Sequence, residues 1–431
     1  MLADRYGLPI STDSTTARDA YIAGVDCVLS AAHGAEAHLS RALMAQPDLA
    51  VAHAALARAH FLMANVSEAR ASIAKAREHA AKATPREQAH VDILCLAMEG
   101  KPVEALAATR AHLAQHPRDA MAAAPATGVF GLIGFSGRRD REPEQVEFLE
   151  ILRRHLQDDW WYQSVLAFAL EEVGRLDEAR ALIERSMATN PKNAHGAHIK
   201  AHVLYEMGED RDALDYLDSW LPTYPREGLM HCHISWHVAM FALSLGQTER
   251  AWQVYEQGVR PGGAWGPALN VATDSPAFLW RAELAGHPRR EGEWREIRDY
   301  ALKSFPKAGI AFIDVHRALA CVAAGDNDGV AAIAADLKQR VESGRSVTGD
   351  VVPRLAAGLD AYGRSDWKGA IAALEPALVE TVRIGGSRAQ RDIIENTLLA
   401  AYLKDGRPAV ARFLVENRVD RRPSTPIAGL A

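Results

Sequence analysis

The sequence predicts an all-α protein in which helix pairs stack into one superhelical solenoid. Three observations favour this fold class. A trio of glycine, alanine and proline recurs with fixed internal spacing. Apolar residues follow a helical period, and no segment has the alternation of a β-strand. The chain has 431 residues, which is long for one compact core and favours a repeat array.

The recurring trio is the strongest of these signals. Its four copies are Gly100 with Ala105 and Pro117, Gly174 with Ala179 and Pro191, Gly208 with Ala213 and Pro225, and Gly406 with Ala411 and Pro423. The second and third copies are offset by 34 residues, the tetratricopeptide period. Glycine allows the left-handed turn after a first helix, alanine allows two helices to cross closely, and proline ends the second helix. Each pair would bury its apolar face only by stacking.

The chain is predicted to be a single superhelical domain spanning residues 1–431. A soft division is expected near residues 259–276, where three glycines and three prolines predict a long loop. Residues 1–16 are expected to be an N-terminal extension, and residues 424–431 a flexible C-terminal tail.

Composition narrows the classes of partner. The net charge is −6 and no long Lys/Arg run occurs, so neither nucleic acid nor an anionic membrane is expected as a partner. The four cysteines are scattered and form no CxxC pair, and no signal peptide or membrane span is expected. The cytoplasm is therefore the expected compartment, while the oligomeric state stays undefined.

Histidines are concentrated on one face of a predicted helix. His195, His198, His202 and Tyr205 are spaced by three, four and three residues, which places them on one side of the helix that precedes Gly208. In the repeat this side lines the inner, concave surface.

The next units repeat the feature. His233 and His237 are four residues apart, with Trp236 beside them. Further on, Asp314 precedes His316. His237 and His316 each lie nine residues before a predicted turn glycine, so equivalent places in the superhelix are expected.

Three interpretations of the histidines stay open. The HxxxH spacing is one that zinc uses, and His198, His202, His233 and His237 would then supply four ligands. Alternatively, His202, His233, His237 and Asp314 would be catalytic groups in acid/base chemistry. The histidines would otherwise be solvated or satisfied core residues. HExxH is absent and no carboxylate has a fixed place in the histidine pattern, so zinc or another divalent metal is the lesser alternative and no cofactor is expected.

A second polar group lies in the segment RIGGSRAQRD. Gly385 and Gly386 free the backbone, and Ser387 is a suitable N-cap for the following helix. Arg388 and Arg391 in its first turn predict an anion site. An ordinary capped helix with solvated arginines is the alternative.

The chain resembles the tetratricopeptide repeat protein 38 family over nearly its whole length. The resemblance rests on GLPISTDS (7–14), PREQAHV (85–91), HIKAHVLYEMG (198–208), CHISWHVAM (232–240), ATDSPAFLWR (272–281), IDVHRALA (313–320) and GGSRAQRD (385–392). It implies a helical-repeat fold and a cytoplasmic protein, but no established reaction. The residues it singles out are His198, His202, His233, His237, Asp314, His316, Gly385, Gly386, Ser387, Gln390, Arg391 and Asp392.

These observations lead to a hypothesis of a central pocket that binds a small polar or anionic ligand or a peptide end. Its expected ligand-binding residues are His198, Trp236, His316, Ser387, Gln390, Arg391 and Asp392. One alternative is an enzyme with hydrolase- or lyase-like chemistry, in which His233 or His237 is the base and Arg391 holds an anionic group. The other is a scaffold whose groove binds a protein partner through an extended peptide.

Overall fold

A computed structural model describes residues 1–430, in which 23 α-helices follow one another, mostly in consecutive pairs. The first eleven are α1 (Thr15–Ser30), α2 (Ala35–Ala45), α3 (Ala50–Leu62), α4 (Val66–Ala80), α5 (Pro85–Met98), α6 (Pro102–Gln115), α7 (Ala120–Ala123), α8 (Arg141–Glu150), α9 (Arg153–Leu156), α10 (Trp160–Glu172) and α11 (Leu176–Thr189).

The remaining helices continue the array. They are α12 (Ala194–Met207), α13 (Asp210–Trp220), α14 (His231–Ser244), α15 (Thr248–Gly258), α16 (Ala268–Leu284), α17 (Glu291–Ser304), α18 (Ala311–Ala323), α19 (Asn327–Glu342), α20 (Val351–Gly363), α21 (Trp367–Ala377), α22 (Arg388–Lys404) and α23 (Pro408–Glu416). Short 3-10 segments are Ala124–Ala126, Leu221–Thr223 and Leu378–Ile384. The predicted all-α superhelical fold is confirmed.

The turns confirm the repeat trio. Its four glycines have φ between 73° and 78°, and its four alanines have no exposed surface. Two further turns use Ala64 at φ 60° and Ser365 at φ 61°. The trio search does not find these two units because their turns lack glycine.

The first helices of successive pairs stack on one another. α10 packs on α12, α14 on α16, α16 on α18, and α18 on α20. α22, the first helix of the last pair, contacts α12, α16 and α20. The inner side of the superhelix is therefore covered by a helix of the same chain.

Two segments differ from the prediction. The loop expected at residues 259–276 is confined to 259–267, because α16 begins at Ala268 and contains Pro276. Most of α16 is buried, so packing outweighs the cost of about 3 kcal/mol for an internal proline. The stack continues across this segment. The N-terminal extension contains a two-stranded antiparallel pair, Leu2–Ala3 with Pro9–Ile10.

The expected flexible tail is packed against the helices instead. Within the predicted tail, Ala428 N donates to Leu284 O (2.8 Å), and just before it Arg422 N donates to Glu206 O (2.7 Å). These carbonyls belong to the last turns of α12 and α16, where a carbonyl group has no hydrogen-bond partner inside its own helix. The tail therefore caps the end of α16, and the residue Arg422 just before it caps the end of α12.

Replacing a turn glycine tests how the tail fits. Gly100 and Gly208 have similar φ, but a Cβ at Gly208 would lie 2.5 Å from Arg422 O, whereas Gly100 has open space. Gly100→Ala should lower the free energy of unfolding by about 1–2 kcal/mol, the strain of a left-handed backbone at a residue with a Cβ. Gly208→Ala should lower it by about 1–3 kcal/mol more, because the added methyl group overlaps Arg422 O. Urea unfolding of both variants measures the difference. Equal losses would contradict this packing.

Candidate metal centre

Four imidazoles meet between α12 and α14. His198 and His202 come from α12, and His233 and His237 come from α14. One ring nitrogen of each lies within 4.8 Å of those of the other three. Each residue is at most 6% exposed. The structure thus brings together the four residues that the sequence proposed as metal ligands.

The positions of these rings follow from the helices. A spacing of four residues places both histidines of each helix on one face. Gly208 ends α12, and α14 begins immediately after Met230. The imidazoles lie between α12 and α14, with the ring centroids of His202 and His237 4.6 Å apart.

Several nitrogens of the cluster lack protein partners. The Nε2 atoms of His198 and His202 lie 2.8 Å apart, so one donates a hydrogen bond to the other. His202 Nδ1, both ring nitrogens of His237 and Trp236 Nε1 are buried without a hydrogen-bond partner in residues 1–430. Such atoms each cost about 1–3 kcal/mol when nothing satisfies them.

Asp274 on α16 orients one of the four rings. His233 Nδ1 donates to Asp274 Oδ2 at 2.8 Å, and the carboxylate is 1% exposed. With the proton on Nδ1, the lone pair of the neutral ring is on Nε2. The Trp236 ring stacks on His233 with centroids 5.3 Å apart. A carboxylate behind a histidine is a common arrangement around protein-bound zinc.

Burial keeps three of the four imidazoles neutral. Loss of water lowers the pKa values of His198, His202 and His237 well below the ordinary histidine value, and neighbouring imidazoles lower them further. Neutral imidazole is the form that binds a metal ion.

Phe168 of α10 closes one side of the cluster. Its ring lies 5.6 Å from that of His198 and 5.1 Å from that of His202. A cavity of about 10 Å³ adjoins Phe168 and is also lined by Arg141 and Glu172. This volume suits about one water molecule and is too small for a metabolite.

The segment around residues 385–392 has structural partners. Ser387 and Gln390 form a capping box at the start of α22, which confirms Ser387 as the N-cap. Arg391 Nη2 donates to Glu142 Oε1 (2.5 Å) and Glu172 Oε2 (3.3 Å). Two carboxylates thus face the arginine that was expected to hold an anion.

The other predicted site residues also lie in helix contacts outside the cluster. Asp392 Oδ2 accepts from Tyr205 Oη at 2.8 Å. Asp314 accepts from Gly309 N and Arg317 Nη1. His316 Nδ1 donates to Phe312 O at 2.8 Å.

Sequence reasoning missed Asp274 and Phe168. Asp274 lies in the segment 259–276, which is predicted to be a loop. The signal that could have marked it is the stretch ATDSPAFLWR, one of the seven on which the family resemblance rests. Phe168 is an aromatic residue of an ordinary helix, and no spacing rule marks it. The carboxylate absent from the histidine pattern is therefore supplied by α16.

Comparisons with known proteins concern the fold. A scan against protein-family models finds no match. Among solved structures, the chain is similar to a tetratricopeptide repeat protein from Parabacteroides merdae, at 15% identity over 61% of this chain and 93% of that chain, with a TM-score of 0.35. It is similar to the human IFIT1 dimer with m7Gppp-AAAA, at 15% identity over 94% and 90%, TM-score 0.42. It is also similar to yeast Tom70, at 13% identity over 93% and 91%, TM-score 0.31.

The fold and its repeat define a tetratricopeptide-type helical-repeat protein. Within residues 1–430 no helix combines the length and the apolar character that crossing a bilayer requires.

Acid should destabilise the metal-free protein. His198, His202 and His237 have folded pKa values below the ordinary 6.5, so the unfolded chain binds more protons. The free energy of unfolding should therefore be unaffected by the protonation of these histidines above pH 6.5. Below pH 6.5 it should decline by up to about 1.4 kcal/mol per pH unit for each histidine. Urea unfolding between pH 7.5 and 5 should show this decline, with a shallower slope in His237→Leu. Identical slopes would contradict the assignment.

Proposed function

We propose that this helical-repeat protein binds one transition-metal ion, zinc or another divalent ion, between its four central histidines. The observation that carries the proposal is His237, whose two ring nitrogens are buried and unpartnered in the described chain, beside three more imidazoles. Imidazole nitrogen is a ligand that zinc, copper, nickel and iron accept.

The spacing of the ligand atoms suits such an ion. Zinc–nitrogen bonds of about 2.0–2.1 Å in a tetrahedron separate the nitrogens by about 3.3 Å. The observed nitrogens lie within 4.8 Å, and the Nε2 atoms of His198 and His202 lie 2.8 Å apart. Each ring therefore needs to move by less than about 1 Å.

The surroundings favour a structural role for the metal. Four protein ligands complete a tetrahedron, which is typical of structural zinc sites, whereas catalytic sites keep a position for water. His202 and His237 have no exposed surface. The ion would tie α12 to α14 and stabilise the stacking of two neighbouring units.

A small-molecule pocket has less support at this place. α22 covers the inner side, and Glu142 and Glu172 neutralise Arg391. A metal ion needs no further space, and it would bind one of the two His237 nitrogens that the described chain leaves without a partner.

A second candidate function is metal-free acid/base catalysis. The pair of His233 and Asp274 favours it, because a carboxylate that orients an imidazole is also the arrangement of a general base. The other catalytic candidates would be His202 and His237. This function requires an opening that admits a substrate to the buried cluster.

Family, location and partners are further proposals. We propose membership of the tetratricopeptide repeat protein 38 family on the seven resembling stretches. The four free cysteines suit a reducing compartment such as the cytoplasm. The net charge of −6 favours protein or peptide partners over nucleic acid.

Zinc should stabilise the protein through these histidines. Metal-free protein, prepared with a chelator, should gain about 2.7 kcal/mol in unfolding free energy at a free zinc concentration of 100 times Kd. His237→Leu should gain much less. Without metal it should be as stable as the wild type or more stable, because the apolar side chain removes two unsatisfied nitrogens. Denaturant unfolding at buffered zinc checks both points.

The matched control is His231→Gln, at a partly exposed histidine of the same helix. It should respond to zinc as the wild type does. If zinc, copper, nickel, cobalt and iron all leave wild-type stability unchanged, or stabilise His237→Leu equally, the metal proposal is wrong.

Removing the carboxylate behind His233 should weaken the metal site without abolishing it. Asp274→Asn should lower zinc affinity about 10- to 100-fold with one site retained, as loss of an outer-shell partner does. Asp314→Asn is the control, since that buried carboxylate pairs with Arg317 instead. Competition with a zinc indicator measures both affinities. Equal affinity in the two variants would show that Asp274 does not support the site.

A further inference from the structure

The C-terminal segment, residues 418–430, lies along the helix ends as a peptide ligand would. Two backbone amides of the segment, those of Arg422 and Ala428, lie six residues apart. Arg422 N donates to Glu206 O, and Ala428 N donates to Leu284 O. Pro423 and Ile427 are buried, whereas Val419, Asp420 and Arg422 are exposed. The segment therefore has a few anchors separated by solvent-facing residues.

Arg421 is the polar anchor. Its guanidinium donates to both carboxylate oxygens of Glu206 (2.7 and 2.8 Å) and both of Asp392 (2.8 and 2.7 Å). Glu206 has no exposed surface, and Asp392 is 3% exposed. Two buried carboxylates on different helices thus form a receptor for one planar, forked cation.

Backbone shape makes room for the segment. A Cβ at Gly174 would lie 2.6 Å from Asp420 Cβ, and one at Gly208 would lie 2.5 Å from Arg422 O. The turn glycines of two consecutive units therefore end their helices and also leave space for the C-terminal segment. The edge of the repeat is shaped for close approach of an extended chain.

The receptor also has unused acceptors. Glu171, at the end of α10, is fully buried, and both of its carboxylate oxygens lack a hydrogen-bond partner in residues 1–430. Burial raises the pKa of Glu171 well above the ordinary range, and the negative charges of Glu172 and Glu206 raise it further. A ligand with a second donor would satisfy Glu171.

We propose that this edge, formed by Gly174, Glu206, Gly208, Leu284 and Asp392, is a peptide-binding site that the chain's own C-terminal segment occupies. Its ligand class is an extended peptide with an arginine, a proline two residues later and an aliphatic residue four beyond the proline. This inference is independent of the metal centre, which uses other residues.

A free peptide that binds this site has to displace the segment that is covalently attached beside it. Residue 418 follows α23 almost directly, so the attached segment competes at an effective concentration of millimolar order or above. A free peptide should therefore bind weakly to the wild type. Weakening the attached segment should open the site to peptide.

The test uses a fluorescent peptide of residues 417–430 and the full chain with Arg421→Ala. The peptide should bind this variant at least about 10-fold more tightly than it binds the wild type. A peptide carrying R421A should bind at least about 100-fold more weakly, because a buried charge pair is broken. A peptide carrying R422A is the matched control and should bind like the parent, since the Arg422 side chain is exposed.

The receptor is tested by adding Glu206→Gln to the Arg421→Ala chain, which should abolish peptide binding. Circular dichroism checks folding, and Arg421→Lys replaces Arg421→Ala if the latter does not fold. The proposal is overturned if the folded variant binds no peptide, or if the R421A and parent peptides bind equally. Failure to bind zinc leaves this outcome unaffected.

Discussion

The structure depends on four buried imidazoles, and burial lowers the pKa values of three of them, His198, His202 and His237, so that these rings stay neutral. Neutral rings avoid the cost of buried positive charge, but their nitrogens still need partners. His198 and His202 satisfy part of this need between themselves, and Asp274 satisfies His233. His237 is left with two unpartnered nitrogens in the described chain. A metal ion in the middle would bind one of these two nitrogens together with one nitrogen from each of the other three rings.

The same constraint explains why polar residues join distant units. α22 covers the inner side of the superhelix and brings Arg391 and Asp392 into buried surroundings. Each is paired, Arg391 with Glu142 and Glu172, and Asp392 with Tyr205 and Arg421. The pairs with Glu142, Glu172 and Tyr205 join units that are far apart in sequence, whereas the histidine centre joins adjacent units.

Local sequence signals were sufficient for the fold. Turn glycines and crossing alanines act within one repeat, and the positive φ of Gly174 and Gly208 follows from that pattern alone. The convergence of the histidines was also predictable, because the spacing within each helix and the repeat offset place both pairs on the inner face. Ser387 as an N-cap is a signal of the same local kind.

The rest depended on long-range packing, which no local spacing encodes. Asp274 became a helical residue because burial of α16 outweighs the effect of Pro276. Arg391 appeared available for an anion because its carboxylate partners lie more than 200 positions away in the sequence. The tail appeared free because its backbone partner, Leu284 O, belongs to a helix end in the middle of the chain.

X-ray absorption spectroscopy of the zinc-loaded protein tests the central claim most directly. The account predicts four nitrogen ligands at about 2.0 Å, with the multiple-scattering pattern of imidazole, and the loss of this signal in His237→Leu. A spectrum with oxygen or sulfur ligands, or one unchanged by that substitution, would contradict the four-histidine centre.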